Sequence, residues 1–405
     1  MPSLGDQVKE IRTSAIRRTA AWLDLAKNKK PIISFGGGAP SLPPPNELAV
    51  GLREALNEPW MAVSYGATRG MLELREAILE DLRKYGKVEL ESPDNIIVTN
   101  GGTLGIYASF KALLNPGEEV IITDPTYLGY PEVVKLMNAK TVTLPVYVSD
   151  GFQPDVEALK ERINKRTKIF LLLSPDNPTG RVIKKEIAEA IVDLAIDHDF
   201  WIVCDDVYKH IVFEGNHVWV STLPGAEDRT LTICSFSKEA SIPGLRVGYS
   251  YGPIEVIDAM EKYAQFLALC PGTLSQIAIT NYLRHPDAKD RYLFKRVIPT
   301  YRNRLEAMAT YLEQYLPESE TTKSQGAFYF FVNVEDYLRN IGLTEEEFAD
   351  ELRMKKEVIV IPGNVFGENG KNHIRMTFVS ETNHRIEEGI KRISDYLNEK
   401  LKATN

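Results

Sequence analysis

The sequence predicts an α/β fold: a mostly parallel sheet of seven strands in a large domain, with a smaller α+β domain toward its carboxyl end. Three observations carry that prediction. From about residue 96, short β-branched runs alternate with longer helical patterns, the alternation that builds a parallel sheet between layers of helices. Several of the runs are apolar throughout, as strands covered on both faces require. After about residue 288 the rhythm changes to long charged helices followed by strand-like pieces.

The seven runs are "IIVT" (96–99), "VIIT" (120–123), "TVTLPV" (141–146), "IFLLLS" (169–174), "WIVCD" (201–205), "TLTICSF" (230–236) and "RVGYSY" (246–251). Only a short loop separates the last two, so no crossover helix fits and that pair is expected to be antiparallel. Further on, "YLFKRVIPTYRNRLEAMATYLEQYL" reads as helix and "AFYFFVNV", "VIVIP" and "HIRMTFV" as strands, with an amphipathic helix closing the chain over about 384–402. "TEEEF" is a capping box in which Thr344 caps and Glu347 reaches back. The proline-rich "APSLPPPNE" (39–47) breaks regular structure and is expected to link an amino-terminal arm to the main sheet. The large domain is thus expected over 46–288, with the arm and the small domain over 1–45 and 289–405.

Composition narrows the function. At 405 residues the chain exceeds what one core usually organises. A net charge of −8, without a basic stripe, argues against nucleic acid as a partner. The first residues are polar and basic, unlike a secretory signal. The longest apolar runs are strand-sized, so no membrane span is expected. Three widely spaced cysteines, Cys204, Cys234 and Cys270, read as buried thiols of a reducing cytoplasm, neither a disulfide framework nor a zinc site.

Ligands of open α/β sheets gather at the carboxyl ends of the strands, and this chain loads those ends with chemistry. After the first run come Gly102 and Thr103 at a strand-to-helix turn, which either simply turns the chain or frees amides for a phosphate. Tyr127 follows the second run, as a stacking ring or a core tyrosine. Asn177 stands between two prolines after the fourth. Asp205 and Asp206 end the fifth, where one carboxylate at most is expected to face a ligand and the other to cap or face solvent. Ser235, Ser237 and Lys238 end the sixth, and Arg246 opens the seventh. An amine, an anion, a cation and free amides together meet the needs of pyridoxal 5′-phosphate.

Four motifs in order, "DPTY", "NPTG", "D-x-x-Y" and "S-x-S-K…G-L-R-x-G-Y", make the sequence resemble the fold-type I pyridoxal-phosphate enzymes, specifically the class I/II aminotransferases. The resemblance runs from about Ile33 to the last helix. It implies Lys238 as the Schiff-base lysine and proton shuttle. It implies Asp205 as partner of the pyridine nitrogen, and Tyr208 and Asn177 as donors to the ring oxygen. Arg246, Ser235 and the amides around Gly102 and Thr103 would hold the phosphate, with Tyr127 against the ring. Tyr65, in "SYGATRG", resembles the tyrosine that reaches the phosphate from the neighbouring subunit, so a homodimer with shared sites is implied. "PGNVFGENGKNHIRMTF" resembles the stretch ending in the arginine that grips the substrate α-carboxylate, here Arg375. Gly38 resembles the glycine approaching that carboxylate, with Gly37 open as the alternative.

The implied reaction moves the amino group of an L-amino acid to a 2-oxo acid, 2-oxoglutarate being the expected acceptor. A β carbon–sulfur lyase on the same scaffold is the alternative. A ligand-sensing regulatory domain is disfavoured, because about 30 residues before "PIISFGGGAP" are too few for a winged helix. The donor stays open among aspartate, aromatic amino acids and 2-aminoadipate. "IRTSAIRR" offers Arg12, Arg17 and Arg18 for a distal carboxylate, with Arg17 favoured by resemblance to a mobile substrate-recognition helix and a solvated basic helix as the equal alternative.

Overall fold

In the computed structural model, residues 3–5, 8, 9, 11, 32–57 and 59–404 are described. Arg12, Arg17 and Arg18 lie outside this set. The seven expected runs form one sheet from strands β2 (Ile96–Thr99), β3 (Glu119–Asp124), β4 (Lys140–Pro145), β5 (Thr167–Leu173), β6 (Trp201–Asp205), β7 (Thr230–Ser235) and β8 (Gly248–Tyr251). Their order is β2-β8-β7-β6-β5-β3-β4. Pairings β3–β4, β3–β5, β5–β6 and β6–β7 are parallel, whereas β8 runs antiparallel to both β7 and β2.

The unbroken apolar character of the central strands has the expected cause. On one face Ile122, Leu171, Val203 and Ile233 pack against helices Gly102–Leu113 and Ile254–Leu267. On the other, Phe170, Leu172, Ile202 and Cys204 pack against helix Lys185–His198. β4, at the sheet edge, is the most exposed of the seven.

A second core surrounds a three-stranded antiparallel sheet in the order β11-β12-β9, formed by Ile361–Pro362, His373–Thr377 and Tyr329–Asn333. Helices Ile298–Tyr315 and Asn383–Thr404 cover it. "VIVIP" serves two sheets, because its first half, β10 (Val358–Ile359), pairs in parallel with β1 (Ile33–Ser34). The segment before the prolines is therefore built into the second core through Ile33 and Phe35. The capping box forms as expected, with Thr344 Oγ1 accepting from the Glu347 amide at 3.2 Å. Of the three cysteines, Cys204 and Cys234 are buried, but Cys270 is half-exposed on a turn, contrary to expectation.

Candidate active site

Parallel strands end together, and the antiparallel β8 begins at that same edge. Gly248 pairs with Thr99 on one side and Ser235 on the other. Arg246, just ahead of β8, thus reaches an edge otherwise populated by strand ends.

An anion-shaped corner forms first. Gly101 adopts φ +81°, and helix Gly102–Leu113 starts without a side-chain cap, leaving its first amides unclaimed within the helix. Arg246, itself at φ +54°, lays its guanidinium against this turn, since a Cβ on Gly101 would stand 2.3 Å from Nη2. Ser235 Cβ lies 3.7 Å from where a Gly102 Cβ would be. Its hydroxyl accepts from the Ser237 amide at 3.2 Å. Thr103 is exposed on the same first turn. Free amides, a guanidinium and a hydroxyl converging on one hollow suit a phosphate.

Asp205 closes β6 deep in the protein. Its Oδ2 accepts from the Tyr130 hydroxyl at 2.7 Å and its Oδ1 from the Val207 amide at 3.2 Å. Burial raises its pKa to about 6, partly offset by those two donors. Asp206 is not the capping or surface group expected. It is buried too, bonded to His217 at 3.0 Å, while its amide donates to the Ile233 carbonyl of β7 at 2.8 Å. Tyr127 meets Tyr130 edge-on, with centroids 5.2 Å apart.

Lys238 sits in the one-turn helix Phe236–Glu239 that Ser235 caps. Its Nζ donates to the carbonyl of Gly38 at 2.7 Å and lies 5.5 Å from the Tyr208 ring centroid. Burial lowers its pKa, and the charges of Arg375 and Arg246 act in the same direction. The close-packed glycine is Gly38: a Cβ there would fall 2.1 Å from the Tyr329 hydroxyl, whereas Gly37 has only Ser380 Oγ at 3.9 Å.

Arg375, on the middle strand β12, is fully buried. Nη1 donates to Asn177 Oδ1 at 2.8 Å and Nη2 to the Gly36 carbonyl at 2.7 Å, while Nε has no partner. Its guanidinium carbon lies 4.3 Å from the Tyr329 ring centroid and 4.9 Å from that of Phe366. Among the described residues no carboxylate lies within ion-pair distance of it.

The structure therefore gathers Lys238, Asp205, Tyr208, Asn177, Arg246, Ser235, Gly102, Gly38, Arg375 and Tyr127 around one edge. Tyr65 is not among them: it is 86% exposed beyond helix Pro59–Val63. Sequence reasoning missed Tyr329, whose hydroxyl is 2.8 Å from that of Tyr208, and Tyr130.

The family model for aminotransferases of class I and II matches residues 30–393. The chain is a class I/II aminotransferase. It is 33% identical to an aspartate aminotransferase of Pyrococcus abyssi, over 98% of this chain and 99% of that one. It is 31% identical to aromatic-amino-acid aminotransferase 2 of Thermococcus litoralis, again over 98% and 99%. Among solved structures, aspartate aminotransferase from Thermus thermophilus with maleate superposes with a TM-score of 0.90 at 30% identity, covering 98% of this chain and 100% of that one. The aminotransferase has the fold-type I architecture and depends on pyridoxal 5′-phosphate, with an amino acid and a 2-oxo acid as substrates. These names do not favour the lyase alternative. Among the described residues no helix is long and apolar enough to cross a membrane.

Proposed function

We propose that this aminotransferase moves the amino group of a dicarboxylic or aromatic L-amino acid to 2-oxoglutarate. One observation carries the reading: Lys238 and Arg375 are each held by a backbone carbonyl of the same glycine segment, at Gly38 and Gly36. A substrate α-carboxylate supplies the counter-charge that Arg375 lacks, through the N–H groups left after Asn177 and Gly36 are served. Bound at this edge, pyridoxal phosphate supplies an aldehyde that carries the amino group and a ring that accepts electrons from the substrate α-carbon.

The side chains present suit that group. Lys238 would be the amine that holds the aldehyde carbon, and the group placed to take and return the α-carbon proton. Its depressed pKa favours the neutral form that this role needs. Asp205 would meet the ring nitrogen, Tyr208 and Asn177 the ring oxygen, and Tyr127 the ring face. Arg246, Ser235 and the amides of Gly102 and Thr103 would hold the phosphate. Tyr329 braces Tyr208 from the second sheet.

The same reading divides the chain into a large domain at 46–288 and an arm with a small domain at 1–45 and 289–405, a division supported by the separate cores. It makes the enzyme a cytoplasmic homodimer. Trp60, Tyr65 and Phe266 are 81%, 86% and 88% exposed, and Met61 and Val63 stand out beside them. Such a patch fits a second copy, with Tyr65 carried to the partner's phosphate. Arg17 remains the candidate for a distal carboxylate.

Recording the visible spectrum while adding single amino acids without acceptor tests the proposal, with aspartate, phenylalanine, tyrosine and 2-aminoadipate as donors. Conversion by one of them, reversed by 2-oxoglutarate, is the expected result. If none converts the absorption, the proposal fails.

A further inference from the structure

Directly behind the cleft lies a group of charges that the reaction as derived does not use. Lys209 follows Tyr208 in sequence and Glu239 follows Lys238, and both are only 2% exposed. Lys209 Nζ donates to Glu239 Oε2 at 3.0 Å. The two turns that carry these pairs leave neighbouring parallel strands, β6 and β7. The bond therefore crosses from one strand exit to the next, one residue away from each reacting side chain.

The group extends further. Glu239 Oε1 accepts no hydrogen bond but lies 3.7 Å from Lys289 Nζ, which in turn grips both oxygens of Asp81 at 2.8 and 2.7 Å. Lys289 immediately precedes the segment Asp290–Val297 that runs into helix Ile298–Tyr315 of the second core. Two ammoniums and two carboxylates balance. His210, whose Nε2 is 3.6 Å from Glu239 Oε2, adds no charge, because burial and the ammoniums of Lys289 and Lys209 keep it neutral. Burial works against the Lys209 charge, but Cys234, Glu239 and Asp81 outweigh it and hold the ammonium protonated.

Apolar residues of similar volume fill such a position as well as or better than an ion pair, since two charges must be desolvated. What a pair adds is direction: a donor and an acceptor that fix one turn against another. We propose that Lys209 and Glu239 are positioning residues for transamination, their buried bond locking the turn that bears Tyr208 to the turn that bears Lys238. The inference rests on the roles proposed above for those two residues.

The titratable and charged groups facing Lys238 from other elements are Tyr329, Arg375, Asp205 and Arg246, and none is altered when the pair behind is substituted. Removing one charge of the pair leaves the buried group with a net charge next to Lys238 in the chain, so the two single variants should act in opposite senses. The readouts are kcat, KM and the pH midpoint of the visible absorbance change of the cofactor-loaded protein, with the melting temperature of the cofactor-free protein alongside. Glu239→Gln leaves an excess ammonium and should lower the midpoint by about half a pH unit or more, and Lys209→Met should raise it by as much. The double variant should return to the native midpoint while its kcat stays down about tenfold with little change in KM, because neutrality is restored but the lock is not.

Two results overturn the inference: midpoints that do not move in the single variants, or a double variant with native kcat. Either would leave the pair a matter of stability alone, visible only in the melting temperature. Should a single variant fail to fold, the double variant still decides through its kcat. Lys238→Ala checks the underlying reading separately. If the lysine-dependent visible band survives that change, the reading of Lys238 is wrong, whatever the pair does.

Discussion

Replacing Arg375 by lysine tests the carboxylate grip most directly. The guanidinium is fully buried and spends one nitrogen on Asn177 and another on Gly36. A lysine keeps the charge but has a single nitrogen, so it cannot serve both partners and a substrate carboxylate in a fixed plane. Losing one charge-assisted hydrogen bond costs about 2–3 kcal/mol, or roughly 30- to 150-fold in kcat/KM. Arg375→Ala removes the second bond as well and strands the Asn177 amide oxygen, which takes the loss to about a thousandfold or more. The assay is single-turnover conversion of the cofactor's visible absorption by an L-amino acid, set beside a primary amine of the same side chain without the carboxylate. The amino acid should lose the full factor and the amine almost nothing. A loss below about threefold, or an equal loss with both substrates, would refute the assignment.

Asp205 carries a pH signature. Its folded pKa of about 6 lies above the ordinary aspartate value of 3.8, so the folded protein binds the extra proton between those values. The stability this contributes is complete below about pH 4 and lost as pH rises through 6, up to about 3 kcal/mol in the cofactor-free protein. Asp205→Asn should flatten that part of the denaturation profile and weaken cofactor binding in equilibrium dialysis. Gly38→Ala drives a methyl group into the Tyr329 hydroxyl and should lower kcat and the melting temperature together, while Gly37→Ala, with nothing nearer than 3.9 Å, should change neither appreciably. Tyr65→Ala, inactive alone, should regain part of its activity when its subunits are mixed with Lys238→Ala subunits, as measured after refolding together. No recovery would remove the shared site.

How far the sequence could be read depended on how local each signal was. The strands of the main sheet are legible because β5 and β6 are unbroken apolar runs between helical patterns, and their ends carry Asp205 and Asn177 on short turns. Antiparallel β8 followed from loop length alone. Tyr329 was invisible for the opposite reason. It shares a face with Arg375 only because Arg375 pairs with Phe331 and Thr377 with Tyr329 across β12 and β9. That register cannot be taken from sequences lying over 40 residues apart. Tyr130 was hidden likewise, since its bond to Asp205 spans 75 positions. Asp206 was misread because its place after an apolar strand says nothing of His217, the partner 11 positions on that it meets while buried.

The glycine segment ties these observations into one device. Strand β1 is only two residues long, yet its parallel pairing with β10 anchors the chain in the second core just before Gly36. The carbonyls that follow face two different sheets: Gly36 receives Arg375 from β12, and Gly38 receives Lys238 from the turn after β7. Asn177, from the turn after β5, meets the same guanidinium, and Tyr208 meets Tyr329 across the same gap. These bonds tie the large sheet, the glycine segment and the small sheet to one another. They meet at Arg375, whose Nε is left without a protein partner. Among the described residues Arg375 is a fully buried guanidinium without a counter-ion, a costly state at rest, and half-buried Lys238 rests on a neutral carbonyl. A ligand carrying a carboxylate and an amino group relieves the first directly and engages the second.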